Sequence, residues 1–205
     1  MIGKNIYLLD ATLRDGGQGL EDLHKNGFSD KIFSEETKHK TIDLLGESNV
    51  DIIEIGTMGP SVDDKSKFAI YQNVEELSQY LPEKKSPNAL YAGLYIGPDT
   101  DVNDIPDWNP SIVEGIRVIL RYSELQKSLD YCAALSEKGY KVFVQPMLTM
   151  RYSDAELDLV IESANKMKAY ACYFLDSYGY MQPDDIKRLF DYYDAGLDKN
   201  IKIGF

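Results

Sequence analysis

Short apolar runs recur along the chain, and the segments between them space their apolar residues as on one face of a helix. The runs are nearly continuous rather than strictly alternating, which is typical of strands covered on both faces of a parallel sheet. Seven runs are predicted to be strands: residues 6–10, 51–57, 89–96, 115–121, 141–148, 170–176 and 201–205.

Helix signals occupy the segments between these runs. Ser34, followed by two glutamates, predicts a capped helix over 34–48, and apolar spacing predicts another helix over 65–81. Capping-box patterns and a proline suited to a first helical turn predict three more helix starts, at Ser123, Ser153 and Pro183.

The repeated order of strand and helix predicts an α/β fold with a parallel sheet in one domain, residues 1–205. A closed (β/α)8 TIM barrel and an open doubly wound sheet both fit this order. Polar residues follow the carboxyl ends of many strands, and the spread over so many strands favours the barrel. Because such a barrel takes about 250 residues, we expect a truncated TIM barrel with about seven strands.

Composition limits which classes of partner and which cellular compartment we expect. The net charge of −12 argues against non-specific nucleic-acid binding. No apolar run is long enough for a membrane span, and the N-terminus lacks the pattern of a signal peptide. Cys132 and Cys172 lie in apolar surroundings, which predicts buried, reduced thiols in a cytoplasmic protein.

The first strand is followed by the charged stretch "DATLRDGGQ", which carries candidate chemistry. Asp15 can ligate a hard divalent cation, and the adjacent guanidinium of Arg14 can stabilise an oxyanion. Gly16 and Gly17 would let the backbone approach a ligand in a glycine-rich turn. A surface ion pair beside a flexible turn fits the same residues.

The stretch "LLDATLRDGGQ" resembles the D-x-T-L-R-D-G signature of metal-dependent pyruvate-type aldolase, lyase and synthase TIM barrels. This group includes 4-hydroxy-2-oxovalerate aldolase, hydroxymethylglutaryl-CoA lyase, isopropylmalate synthase and homocitrate synthase. The resemblance continues through "DIIEIGT", "GIRVILRYSE", "FLDSYGYMQPDDI" and "IKIGF", and it is greatest toward the aldolase branch.

The resemblance implies a divalent cofactor, Mn²⁺ or Mg²⁺, with Asp15 as a metal ligand. It implies that Arg14 stabilises the enolate of a 2-oxo acid and that Glu54 orients Arg14 or the substrate. In these families a His-x-His pair follows the seventh strand and completes the metal site. We therefore expect the remaining ligands beyond Phe205, and we expect residues 1–205 alone to be inactive.

Gln18 departs from the microbial aldolases, whose motif places a general-base histidine at this position. Glutamine can position a substrate but cannot act as a base in the working pH range. The lyase and synthase branches carry glutamine here, so a Claisen-type reaction on an acyl-CoA stays open. His24, in the predicted polar loop "EDLHKNG", is a candidate base, although a histidine in such a loop is more often merely solvated.

Several strand ends supply candidate substrate contacts. Arg121 could bind a carboxylate in a bidentate way, and Gln145 could donate a hydrogen bond or be structural. The resemblance places Ser177 and Tyr178 near the substrate carboxylate. Asp176 could serve there too, or could fix its own loop by accepting backbone N–H bonds. Arg117, in the middle of a strand, is expected to form an inward ion pair.

These expectations combine into one functional hypothesis with two alternatives. The hypothesis is a metal-dependent aldolase-type carbon–carbon lyase acting on a small 2-oxo acid, similar to 4-hydroxy-2-oxovalerate aldolase. The alternatives are a Claisen-type acyl-CoA synthase or lyase and a non-catalytic barrel that binds or scaffolds. An open sheet edge beside the first and seventh strands favours a homodimer.

Overall fold

The computed structural model describes residues 6–61 and 63–205. The chain divides into two compact units. The first unit contains Met1–Tyr95 and Trp108–Gly115, and the second contains Ile96–Asp107 and Ile116–Phe205. Within the described ranges, no helix is long and apolar enough to cross a membrane.

The first unit is a parallel sheet with three helices. Its elements in chain order are β1 (Leu9–Asp10), α1 (Thr12–Lys25), α2 (Glu35–Glu47), β2 (Ile52–Met58), β3 (Ile70–Tyr71), α3 (Val74–Ser78) and β4 (Leu90–Tyr95). Strand β2 is central, because it pairs in parallel with β1, β3 and β4. Every residue of β2 is buried, as expected for a strand covered on both faces.

The second unit repeats the same pattern. Apart from Gly115, the first residue of β5, its elements are β5 (Gly115–Leu120), α4 (Leu125–Glu137), β6 (Lys141–Pro146), α5 (Asp154–Met167), β7 (Ala171–Tyr173), α6 (Pro183–Gly196) and β8 (Lys202–Gly204). The strand order is β5–β6–β7–β8, and the β6–β7 and β7–β8 pairs are parallel. The predicted α/β class with parallel strands is confirmed.

Local capping chemistry explains several helix starts that the sequence predicts. Ser34 accepts a hydrogen bond from the backbone N–H of Thr37 at the start of α2. Ser153 and Glu156 form the reciprocal capping box that opens α5. Pro183 occupies the first turn of α6, as expected from its fixed φ and missing N–H.

The predicted helix over 65–81 is wrong. The segment forms a 3-10 turn at Ser66–Phe68, then β3 and the short helix α3. Ala69 adopts a left-handed conformation, with φ 52°, that interrupts any helix. Pairing of β3 with β2 then outweighs the helical spacing of the apolar residues.

The predicted glycine-rich turn after β1 is also wrong, because α1 begins at Thr12 and includes both glycines. Asp10 fixes this start by accepting hydrogen bonds from the N–H and the hydroxyl of Thr12. Gly17 is required by close packing, since a Cβ there would lie 1.8 Å from the carbonyl oxygen of Phe68. His24 consequently lies in the last turn of α1 and not in a loop.

The capping box predicted at Ser123 does not form. Ser123 lies in a 3-10 turn, Tyr122–Glu124, and α4 begins at Leu125 without a side-chain cap. The prediction of buried thiols is confirmed, because Cys132 and Cys172 are both free and buried. Burial raises the pKa of both thiols, so neither is reactive near neutral pH.

A buried lysine fastens α2 to the segment before β3. The Nζ of Lys38 donates to the carbonyl oxygen of Ser66 at 3.0 Å and to the hydroxyl of Tyr80 at 2.7 Å. It also forms an ion pair with Glu35 at 2.5 Å and lies 4.2 Å from the ring centroid of Tyr80. Lys38 is fully buried, so these contacts replace the water that its charge would otherwise require.

Replacing Lys38 with alanine is therefore expected to be costly. Lys38→Ala should lower the free energy of unfolding by about 2–4 kcal/mol, because it removes the hydrogen bonds and leaves a cavity. Urea denaturation followed by circular dichroism measures the change. Lys40→Ala, at an exposed position of the same helix, is the control and should cost about 0.5 kcal/mol or less. Equal effects of the two substitutions would contradict the role given to Lys38.

The glycines of α1 provide a second, internally controlled prediction. Gly17→Ala should destabilise the protein by about 1–3 kcal/mol, because its Cβ would overlap the backbone at Phe68. Gly19→Ala should stabilise it by about 0.5–1 kcal/mol, since nothing lies within 4 Å of the added Cβ in the same helix. The two thermal midpoints should move in opposite directions, and a shared direction would show that packing at Phe68 does not select glycine.

Candidate active site

Four polar residues of the first unit come together where α1 meets β2. Arg14, Asp15 and Gln18 lie in the first two turns of α1, and Glu54 lies in β2. Arg14 and Gln18 are four residues apart and therefore share one face of the helix. We call Arg14, Asp15, Gln18 and Glu54 the Arg14 cluster.

Hydrogen bonds fix the guanidinium of Arg14 on two sides. Its Nε donates to Glu54 Oε2 at 2.7 Å, and its Nη1 donates to Asp15 Oδ1 at 2.8 Å and to Gln18 Oε1 at 3.4 Å. The Glu54 side chain is fully buried, whereas the Arg14 side chain is 19% exposed. Within residues 6–61 and 63–205, Nη2 donates to no protein acceptor. This edge of the guanidinium is consequently free to bind a ligand oxygen.

The Arg14 cluster supplies one candidate metal ligand. The Asp15 side chain is 76% exposed, so a cation could reach its carboxylate, although one oxygen accepts from Arg14. Among the described residues, no three His, Cys, Asp or Glu side chains are grouped so that they could hold a metal ion. These residues therefore do not fit a complete site for Mn²⁺ or Mg²⁺, which needs several donors.

The structure does not bring His24 together with the Arg14 cluster. His24 is ten residues after Arg14 on α1, which places it about 15 Å further along the helix axis. Its ring packs 5.4 Å from the ring of Phe68, and Nδ1 lies 3.9 Å from a carboxylate oxygen of Asp30. Its role as a base stays a prediction without geometric support from this unit.

A buried polar pair lies on the strands of the second unit. Arg117 Nη2 donates to Gln145 Oε1 at 2.7 Å, and the two residues are 5% and 3% exposed. The guanidinium of Arg117 also lies over the ring of Tyr173, with 5.3 Å to its centroid. The Nε2 of Gln145 is buried and has no hydrogen-bond partner in the described part of the chain. This amide is a donor that a ligand or a water molecule could satisfy.

Arg121 makes its bidentate contact within the protein. Both of its terminal nitrogens donate to the carboxylate of Asp99, and Nη2 also donates to the carbonyl oxygen of Ile96 at 2.9 Å. Its side chain packs against Gly97, which has a positive φ of 85°, and a Cβ there would lie 2.6 Å from Nε. The hydrogen bond from Arg121 lowers the pKa of Asp99. Arg121 thus supports the loop that follows β4.

The loop after β7 is fixed by its own side chains. Asp176 accepts hydrogen bonds from the backbone N–H groups of Tyr180 and Met181 at 3.0 and 2.9 Å. Desolvation raises the pKa of Asp176, but these N–H groups outweigh it and the pKa lies below its ordinary value. Ser177 and Tyr178 are exposed on this loop, and Tyr178 stacks on Tyr180 with 6.3 Å between ring centroids.

The structure thus groups the predicted residues unevenly. Arg14 contacts Asp15, Gln18 and Glu54, whereas Gln145 contacts Arg117. Sequence reasoning did not identify the acceptor for Arg121, because Asp99 lies 22 residues earlier in a loop without a recognisable pattern. It expected an ion pair for Arg117 and did not identify the contact with Gln145. The charged residue in the otherwise apolar run "GIRVIL" was the only signal.

Comparison with curated proteins finds a relative that matches almost the whole chain, and no family model matches it. The relative is 4-hydroxy-2-oxovalerate aldolase 2 from Comamonas testosteroni, which is 27% identical over 99% of this chain. The matched region is 55% of the relative, so the chain spans about half the length of that aldolase.

Solved structures of aldolases and lyases share the fold. The N-terminal domain of a candidate aldolase from Bacteroides vulgatus matches with a TM-score of 0.71 and 19% identity, covering 97% of this chain and 63% of that one. Hydroxymethylglutaryl-CoA lyase from Pseudomonas aeruginosa matches with a TM-score of 0.64 and 14% identity, covering 96% and 66%. The carboxyl transferase domain of Rhizobium etli pyruvate carboxylase, solved with pyruvate, gives 0.66 and 16%, covering 98% and 35%.

These likenesses confirm the predicted fold class, since the matched structures are TIM barrels and each unit of this chain combines parallel strands with helices. The predicted resemblance is confirmed as well. The chain is similar to the aldolases and lyases of the pyruvate-type TIM-barrel superfamily, with a 4-hydroxy-2-oxovalerate aldolase among its relatives.

Proposed function

We propose that the protein is a carbon–carbon lyase that cleaves a small 4-hydroxy-2-oxo acid to pyruvate and an aldehyde. The observation that carries this proposal is the ion pair between the buried Glu54 and Arg14, which leaves one edge of the guanidinium free beside Gln18. The similarity to a 4-hydroxy-2-oxovalerate aldolase supports the choice of substrate.

Arg14 would stabilise the charge that develops during cleavage. When the bond between C3 and C4 breaks, its electron pair moves toward the keto group and gives the pyruvate enolate, with negative charge on the C2 oxygen. A guanidinium preorganised beside that oxygen lowers the barrier because it need not reorient. Glu54 would hold the guanidinium in place through the charge-assisted bond at 2.7 Å.

Gln18 would orient the substrate and not move its proton. Its Oε1 accepts from Arg14, so its amide nitrogen remains as a donor toward a substrate oxygen. The proton on the 4-hydroxyl must pass to a base other than Gln18 during cleavage. His24 is the predicted candidate. It lies about 15 Å from Arg14 along the axis of α1, so the geometry of this unit does not support a role for it as the base.

A divalent cation, Mn²⁺ or Mg²⁺, is part of the proposal through the family resemblance. Asp15 would be one of its ligands, and a bound ion would supply Lewis-acid polarisation of the keto group. One exposed carboxylate does not make a complete ion site, so no step is assigned to the metal. Among the described residues, the proposal assigns steps only to Arg14, Glu54 and Gln18, in the roles given above.

The second unit carries candidate ligand-binding groups of its own, considered by themselves. The buried Nε2 of Gln145, which has no hydrogen-bond partner among the described residues, would donate to a ligand oxygen. The family resemblance makes Ser177 and Tyr178 candidates for contact with a carboxylate. Arg121 was predicted to bind that carboxylate directly. Because Asp99 occupies both of its terminal nitrogens, Arg121 would instead act by fixing its loop.

A Claisen-type lyase acting on an acyl-CoA is the second candidate. Gln18 favours it, since the related lyases and synthases carry glutamine at this position. The likeness to hydroxymethylglutaryl-CoA lyase shows the fold alone, so it does not decide between the two substrates.

The proposed cleavage can be measured directly on the full-length natural protein. With Mn²⁺ and 4-hydroxy-2-oxovalerate, pyruvate release should be detectable by coupling to lactate dehydrogenase. Arg14→Ala should reduce kcat by about 100-fold or more, because it removes a preorganised donor to the enolate oxygen. Arg188→Ala, at an exposed position of α6, is the control and should leave kcat unchanged. Turnover of hydroxymethylglutaryl-CoA in place of the oxo acid would favour the second candidate.

Glu54→Gln tests how Arg14 is held. The substitution keeps an acceptor for Nε but removes the buried charge, so the guanidinium should lose its fixed orientation. We expect kcat to fall by about 10–100-fold with a smaller change in KM, since a misdirected donor fails mainly in the transition state. The far-ultraviolet circular dichroism should match wild type. An unchanged kcat would show that Glu54 does not position Arg14.

A further inference from the structure

One buried hydroxyl links the segments that follow β6 and β7. Thr149 is fully buried, and its Oγ1 donates to the carbonyl oxygen of Pro146 at 2.8 Å. The same oxygen accepts from the backbone N–H of Leu175, also at 2.8 Å. The hydroxyl therefore joins two backbone segments that are 26 residues apart in sequence. We call these contacts of Thr149, Pro146 and Leu175 the Thr149 bridge.

A second hydrogen bond joins the same two segments at Leu148, directly before Thr149. Leu148 has φ 57° and ψ 43°, a left-handed conformation that residues other than glycine rarely adopt. In this conformation its N–H donates to Ser177 Oγ at 3.0 Å. Such a conformation persists only where surrounding contacts enforce it, and the Thr149 bridge is the adjacent contact.

The hydrogen bond from Leu148 leaves the hydrogen of the Ser177 hydroxyl available to a ligand. Its oxygen accepts from Leu148, and within the described ranges its hydrogen donates to no protein group. Ser177 is exposed, so that hydrogen is accessible to a ligand. A serine hydroxyl has one donor hydrogen besides its acceptor lone pairs, so Ser177 can donate while its oxygen accepts from Leu148, and a carboxylate or keto oxygen is a matching acceptor.

We propose that Thr149 is a positioning residue, which fixes Ser177 as a hydrogen-bond donor to the carboxylate or keto oxygen of a 2-oxo acid. This inference rests on the proposed function. Thr149 is fully buried and does not touch the substrate itself. Asp176 fixes the far side of the same loop by accepting from Tyr180 and Met181, so loss of the Thr149 bridge should displace Ser177 without unfolding the loop.

Thr149→Val tests the proposal in the full-length natural protein, because valine keeps the shape of threonine but removes the hydroxyl. We expect KM for 4-hydroxy-2-oxovalerate to rise about tenfold, as for the loss of one well-placed hydrogen bond, with kcat changed less than about twofold. Thr149→Ser retains the hydroxyl and should restore KM to near the wild-type value. A lower melting temperature in Thr149→Val with an unchanged KM would mean that the bridge is only structural, and would overturn the proposal.

The double variant shows whether Thr149 acts through Ser177. If it does, Thr149→Val should raise KM no further in a Ser177→Ala background, because the donor that it positions is already absent. Additive effects of the two substitutions on KM would contradict the proposal that Thr149 acts through Ser177. If the wild-type protein neither cleaves the oxo acid nor binds pyruvate in a calorimetric titration, the proposed function itself fails. An active wild type with an unaffected Thr149→Val variant removes only the positioning role.

Discussion

The ion pair between Arg14 and Glu54 is the constraint on which the site depends. Glu54 lies in a strand that is buried along its whole length, and a buried carboxylate is tolerated only with close, hydrogen-bonded partners. Arg14 reaches it because α1 begins directly after β1 and packs against β2. The same geometry leaves the outer edge of the guanidinium free and brings Gln18 beside it. The placement of one helix thus determines both the burial of the charge and the chemistry that it offers.

Features of the fold that depend on neighbouring residues could be predicted from the sequence. The capping box at Ser153 and the helix start at Pro183 are of this kind, because their hydrogen bonds and φ angles are set within one turn. Strand β3 was missed because its pairing with β2 is a tertiary contact. Helix α1 was missed because two glycines indicate a turn, whereas Gly17 is there to accommodate the carbonyl group of Phe68.

In the candidate site, too, some features could be predicted from the sequence and others could not. Family resemblance predicted the roles of Arg14 and Glu54, and the structure places them in contact, although the roles themselves remain proposals. The partner of Arg121 could not be predicted, because Asp99 belongs to an irregular loop far away in sequence. The bond between Leu148 and Ser177 depends on a left-handed leucine, which no sequence pattern indicates.

Exchange of the methyl protons of pyruvate in deuterated water tests the central claim most directly, because enolate formation is the step that Arg14 is proposed to stabilise. The experiment uses proton NMR on the full-length natural protein loaded with Mn²⁺, with the metal removed by chelation before the spectra are recorded. The account predicts exchange by the wild type and loss of exchange in Arg14→Ala. Pyruvate binding without any exchange in the wild type would contradict it and would favour a barrel that binds without catalysis.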